Sequence, residues 1–231
     1  EFRDGIVVPR LEIESYIEED DCILIGPGMV RAEGAGIFNF QFSIFNLENI
    51  LKIEDEGVQT YYLTKYLLQK YPKKRWVIDA GALQMLEVGW IPNNAILTPH
   101  HKEFAGLELR IKNDELRMKM KNLELKEKVK LFAKEYRCTV LLKGEIDYVV
   151  SGDEFKEIKG GNAGMSKGGT GDVLAGLVAA LYCKNDAFMA ALAGSTINKK
   201  AGDDLYKKMG YWFNASDLAD QIPETMKELL L

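Results

Sequence analysis

The sequence predicts an α/β fold in which a mostly parallel sheet carries helices on both faces. Two observations lead to it: short apolar runs of strand length recur along the chain, and longer stretches of helical pattern lie between them. CILIG at 22–26, WVIDA at 76–80, AILT at 95–98 and TVLLK at 139–143 read as strands buried on both faces, because their apolar residues are continuous rather than alternating. Helical patterns cover 57–70, 113–136, 170–182, 186–208 and 215–230. Their alternation with the strands implies crossover connections and a parallel sheet. Two further runs, 147–150 and 155–158, are split by the turn S-G-D-E and predict a hairpin at the sheet edge. Segment 34–50, GAGIFNFQFSIFNLENI, is aromatic-rich without a clean period. Its rings are expected in the core, with Phe38, Phe40, Phe42 and Phe45 also read as part of a subunit interface. The charged stretch 112–130 reads as a solvated helix face, on which Glu124 and Lys128 have i,i+4 spacing.

At 231 residues the chain fits one domain over 1–231, long enough to bury a full core. A hydrophobic content of 47% with 28% charged residues is that of a folded protein, and a net charge of −5 gives no reason to expect nucleic acid as a partner. The apolar runs are too short to span a bilayer and the opening EFRDGIVVPR has no signal-peptide character, so no membrane partner and a cytoplasmic setting are expected. Cys22, Cys138 and Cys183 lie far apart in or beside apolar sequence and read as reduced thiols. His100 and His101 are the only histidines and adjoin each other, which leaves no zinc cluster and no Ser-His-Asp triad.

The chemistry concentrates in GNAGMSKGGTGDVLAGLVAAL at 161–181. Glycines directly before an apolar helix suit close approach of the backbone to a ligand, and the first amides of a helix starting near Thr170 or Gly171 form an anion site. Gly168, Gly169, Thr170 and Gly171 are therefore candidate phosphate contacts. Walker A fails because Lys167 precedes the glycine pair, and the dinucleotide fingerprint fails because Leu174 stands where its third glycine belongs. Asp172 reads either as a helix-terminus acid or as a group that activates a hydroxyl or holds a metal beside the phosphate. Ligands in such folds bind beyond the carboxyl ends of strands. The polar residues there are GPGM at 26–29, DAGAL at 79–83, LTPHHKE at 97–103 and KGEID at 143–147. Singly they have plain readings: Lys143 as an exposed lysine, Asp79 as an acid bound to backbone amides, His100 as a satisfied histidine after Pro99.

In their order along the chain, these motifs resemble the ADP/ATP-dependent NAD(P)H-hydrate dehydratases, which have a ribokinase-like three-layer α/β/α fold. The resemblance implies repair of nicotinamide cofactors hydrated on the ring (NADHX or NADPHX). ADP or ATP, with Mg²⁺, phosphorylates the ring hydroxyl and phosphate then leaves. It places substrate contacts at Gly28, His100 and Asp172, with Asp172 also the catalytic base. It assigns nucleotide contacts to Lys143, Gly144, Glu145, Ile146, Asp147 and Gly171, while Asn162 is expected to contact phosphate or the turn itself. The metal ligands stay unassigned, and a homo-oligomer is expected. GTGD, rather than the GQGD of eukaryotic members, favours ADP as donor. Three departures stand out. Gly81 replaces a usual acid, His101 and Lys102 replace a Pro-Gly pair, and the strand and Gly-Gly-Ser loop that open family members have no counterpart before Asp20. A small-molecule kinase using the same glycine turn, and a nucleotide-binding protein without catalysis, are the competing expectations.

Overall fold

A computed structural model describes residues 5–32 and 45–231 of the chain. Among these, six strands form one sheet in chain order: β1 (Cys22–Ile25), β2 (Arg75–Ile78), β3 (Ile96–Leu97), β4 (Thr139–Leu142), β5 (Asp147–Ser151) and β6 (Glu154–Ile158). β1 to β4 run parallel, with Val77 beside Ile96 and Ile96 beside Thr139, and β5 and β6 complete the sheet as the antiparallel edge hairpin.

Among the described residues seven α-helices cover one face: α1 (Ile13–Glu19), α2 (Leu47–Leu51), α3 (Glu56–Lys70), α4 (Ala80–Met85), α5 (His101–Leu109), α6 (Asp114–Met120) and α7 (Leu125–Glu135). The other face carries α8 (Thr170–Tyr182) and α9 (Ala187–Met209), with α10 (Ala215–Leu230) packed outside them. Strand alternation divides the core between the two layers. Trp76, Ile78, Leu97, Val140 and Leu142 join Leu68, Phe104 and Phe132 on the first side, and Val77, Ile96, Leu141 and Val149 join Leu174, Val178 and Phe188 on the second. Continuous apolar sequence in β2, β3 and β4 is thus the signature of central strands covered on both faces, as expected.

One expected helix divides. Residues 113–136 form α6 and α7, separated by a turn in which the Leu123 amide bonds to the Met120 carbonyl and Glu124 becomes the cap of α7. A straight helix of that span would be about 36 Å long, far beyond a four-residue strand of about 13 Å, so the chain must fold back to keep Leu116, Met120, Val129 and Phe132 over the sheet. Glu124 and Lys128 keep their i,i+4 spacing, the Lys128 amide donating to the Glu124 carbonyl at 3.1 Å, while among the described residues their side chains form no ion pair. Lys128 instead meets Glu108 of α5 at 3.0 Å.

Of the four phenylalanines, Phe38, Phe40 and Phe42 lie outside the described residues. The Phe45 ring packs edge-on against Tyr62 and Tyr66 of α3, with centroids 6.1 and 5.6 Å away. The three cysteines are free. Among the described residues no helix is long and apolar enough to cross a membrane.

Candidate active site

The carboxyl ends of β3 and β4, where His100 and Lys143 stand, meet the start of α8, at the edge where a parallel sheet places its ligands. Gly169 caps α8 at φ +88° with no side-chain bond to the helix, and a β-carbon there would stand 2.9 Å from that of Ala215. Glycine is the residue that fits both the backbone and the space. The Thr170 side chain turns inward, donating to the carbonyls of Met165 (2.5 Å) and Lys167 (2.7 Å), and so fastens the loop below the turn. Among the described residues the amides of Gly171 and Asp172 meet no acceptor, so the helix start presents bare donors and the positive end of its dipole. Asp172 is exposed.

Lys143, at the end of β4, reaches this turn: a β-carbon on Gly171 would lie 3.6 Å from Lys143 Nζ. It is no free surface lysine, since Nζ donates at 2.8 Å to Asp79 Oδ1, whose side chain is 2% exposed against 20% for Lys143. Asp79 accordingly binds a lysine rather than backbone amides. Beside them, the Lys143 amide donates to Pro99 O at 2.7 Å, and His100 caps α5. His100 Nδ1 accepts from the Glu103 amide (3.1 Å) while Glu103 Oε2 accepts from the His100 amide (2.9 Å), a capping box with imidazole in the usual hydroxyl role.

The turn after β4 is held from within. Asp147 accepts from the Gly144 amide (2.8 Å) and the Ser195 hydroxyl (2.7 Å), and Lys199 Nζ lies 3.3 Å away. That ammonium donates to the carbonyls of Gly144, Glu145 and Gly160 at 3.0 to 3.1 Å, joining α9 to both loops. Asn162 bonds to the Gly202 carbonyl and to the Gly164 amide, so it serves the turn itself.

His100, Lys143, Gly144, Glu145, Asp147, Asn162, Thr170 and Gly171 line one cavity of about 810 Å³. Ile146, Gly168, Gly169 and Asp172 adjoin it without lining it, and Gly28 (φ +73°) lines a separate cavity of about 400 Å³ beside β1. Gly81 acquires a steric reason: a β-carbon would stand 2.1 Å from the Met29 carbonyl oxygen. Among the described residues no three His, Cys, Asp or Glu side chains converge as metal ligands. Sequence reasoning missed Lys199, Asn198 and the partnership of Asp79 with Lys143. The signal for the first two was a run of small and polar residues on the apolar α9, Ser195, Asn198, Lys199 and Gly202.

A family model described as NAD(P)H-hydrate dehydratase matches residues 11–224. A bifunctional NAD(P)H-hydrate repair enzyme of Methanocaldococcus jannaschii is 38% identical over 208 residues, which is 86% of this chain and 38% of that protein. A crystal structure of the ADP/ATP-dependent NAD(P)H-hydrate dehydratase of Bacillus subtilis, with ATP/Mg²⁺ and soaked with CoA, is 26% identical with a TM-score of 0.54, covering 67% of this chain and 56% of that one. A ribokinase-like superfamily protein of Enterococcus faecalis superposes with a TM-score of 0.70 at 22% identity over 94% of this chain and 66% of its own, which shows the fold. The chain thus spans well under half the length of the M. jannaschii relative.

Proposed function

Since the chain belongs to the NAD(P)H-hydrate dehydratase family, we propose that it is a lyase that uses ADP or ATP to return NADHX or NADPHX to the reduced cofactor. The observation that carries the proposal is the bare helix start of α8 beside Lys143 at the mouth of an 810 Å³ cavity. The terminal phosphates lie against the amides of Gly171 and Asp172, with Lys143 supplying positive charge and the base of the nucleotide directed to the turn at 143–147. Asp172, exposed beside the turn, accepts the proton of the ring hydroxyl as its oxygen attacks the terminal phosphorus. His100 and Gly28 contact the substrate. The C–O bond to phosphate then breaks and the adjacent ring carbon gives up a proton to solvent, so that the ring double bond re-forms; phosphate is a far better leaving group than hydroxide. Mg²⁺, bound together with the nucleotide, would neutralise the charge of its phosphates. Assembly as a homo-oligomer, a cytoplasmic setting and one domain over the chain belong to the same proposal.

The test incubates the protein with hydrated NADH, Mg²⁺ and either ADP or ATP, and follows dihydropyridine absorbance together with free phosphate. Equal recovery of both supports the dehydratase. Consumption of nucleotide with the phosphoryl group retained on the product identifies a kinase, and nucleotide binding without turnover identifies a binding protein.

A further inference from the structure

Two of the three free cysteines meet at the outer edge of the sheet, and neither lines the 810 Å³ cavity. Cys22 opens β1, the strand at one end of the sheet, and Cys183 caps the carboxyl end of α8. Independent contacts bring the two positions together. Asp21 accepts from Lys184 Nζ at 2.9 Å, which ties the residue before one cysteine to the residue after the other across 163 positions of sequence. Arg75, the ladder partner of Cys22 on β2, donates to the Cys183 carbonyl at 2.8 Å. Cys22 packs in the same apolar layer as Ala179, whose carbonyl accepts from the Cys183 thiol at 3.4 Å. The two thiols also hydrogen-bond to each other. Cys138 stands apart, buried in the core layer on the opposite face of the sheet.

We propose that Cys22 and Cys183 are a reversible dithiol–disulfide pair, a redox clasp between the outer strand and the end of α8. Its oxidant is a small disulfide of the glutathione class. Both side chains are partly exposed, so a small reagent can reach them. The Cys22 thiol is pushed up to about 12, by burial first and by the neighbouring Cys183 second, so it keeps its proton at neutral pH and the first attack falls to Cys183. Cys183, as its thiolate, attacks one sulfur of the reagent, whose S–S bond breaks. The departing thiolate takes up the proton that Cys183 released. Once Cys183 is capped as a mixed disulfide, the second cause that held the proton on Cys22 is gone. Cys22 then gives up its proton and attacks the Cys183 sulfur, which releases the second half of the reagent as a thiol. The protein loses two electrons and two protons, and the reagent gains both as two thiols. Among the described residues β1 pairs with β2 alone. The closed form therefore fastens a strand that has a ladder on one side only.

The test equilibrates the wild type, Cys22→Ser, Cys183→Ser and Cys138→Ser with mixtures of reduced and oxidised glutathione at neutral pH. Thiols are trapped with N-ethylmaleimide in urea and read by intact mass and by a non-reduced peptide map. The wild type and Cys138→Ser are expected to lose the mass of two hydrogens and to yield one cross-linked peptide, joining Cys22 to Cys183. Cys22→Ser should stop at a glutathione adduct on Cys183, and Cys183→Ser should carry neither bond nor adduct at Cys22. The glutathione ratio at half closure gives the effective concentration of one thiol at the other. That concentration is expected to be about 30- to 900-fold higher in the folded chain than in urea, the factor that corresponds to the usual stabilisation by a native disulfide. This comparison needs the wild type only, so it decides the matter even if a serine variant fails to fold. A folded wild type that keeps both thiols at ratios that close the pair in urea overturns the proposal. A map that joins either cysteine to Cys138 or to a second chain overturns it too, and an adduct on Cys22 of Cys183→Ser overturns the order of attack.

Discussion

Asp172 is the residue on which the proposed chemistry turns, and substitution separates its two readings. Asp172→Asn keeps the shape and much of the capping ability. Loss of a base is expected to lower turnover of hydrated NADH by about 10²–10⁴-fold with nucleotide affinity retained, whereas a helix-terminus acid would cost about 1–2 kcal/mol of stability and little turnover. Steady-state kinetics beside a nucleotide titration on one folded sample decide between them. The Asp79–Lys143 pair makes an asymmetric prediction. Lys143→Met strands a buried carboxylate and should cost about 3 kcal/mol in urea unfolding. Asp79→Asn should cost about 1 kcal/mol or less, because the lysine it releases is partly exposed and can turn to water. Cys22 and Cys138 are pushed up to about 12, each chiefly by burial. The thiolate is the reactive form, so iodoacetamide at pH 8 is expected to label both only after unfolding, as peptide mass spectrometry would show. At this scale the glycine turn was legible in the sequence, because bare amides and special backbone geometry call for glycine locally. The partner of Lys143 was not, since it lies 64 residues away and only the sheet brings the two together.

Among the elements, the β1–α4 corner is the most tightly specified. A β-carbon at Gly26, where φ is +122°, would fall 1.7 Å from the Asp79 carbonyl oxygen, and one at Gly81 would fall 2.1 Å from that of Met29. Restoring an acid by Gly81→Asp is therefore expected to destabilise the protein by about 2 kcal/mol or more, as overpacking does, and not to improve turnover; thermal melting and the NADH assay check both. Long helices and the edge hairpin could be read from periodicity and turn residues, as 170–182 and 215–230 illustrate. α2 and α4, of five and six residues, are too short to show a period, and the break between α6 and α7 is imposed by the width of the layer beneath it.

For the molecule as a whole, ligand and fold should be thermodynamically linked. Donor nucleotide that binds only the folded chain, supplied at 100 times its Kd, adds about 2.7 kcal/mol, which for a domain of this size raises Tm by about 5–10 °C. Scanning calorimetry with ADP against buffer measures it, and an unchanged Tm would remove the nucleotide site. The order of the sheet has a consequence for biosynthesis. Each strand pairs with the one made just before it, so the sheet can grow as the chain leaves the ribosome. Its second face must wait: among the described residues, the helices that cover Val77, Ile96, Leu141 and Val149 are α8 and α9, which follow all six strands. Until then the nascent protein offers an apolar sheet face to its surroundings, a state prone to aggregation. α8 also carries the phosphate turn, so a chain stalled before residue 170 has no helix start for phosphate to meet, and the capacity to hold nucleotide arrives with the segment that ends its exposure.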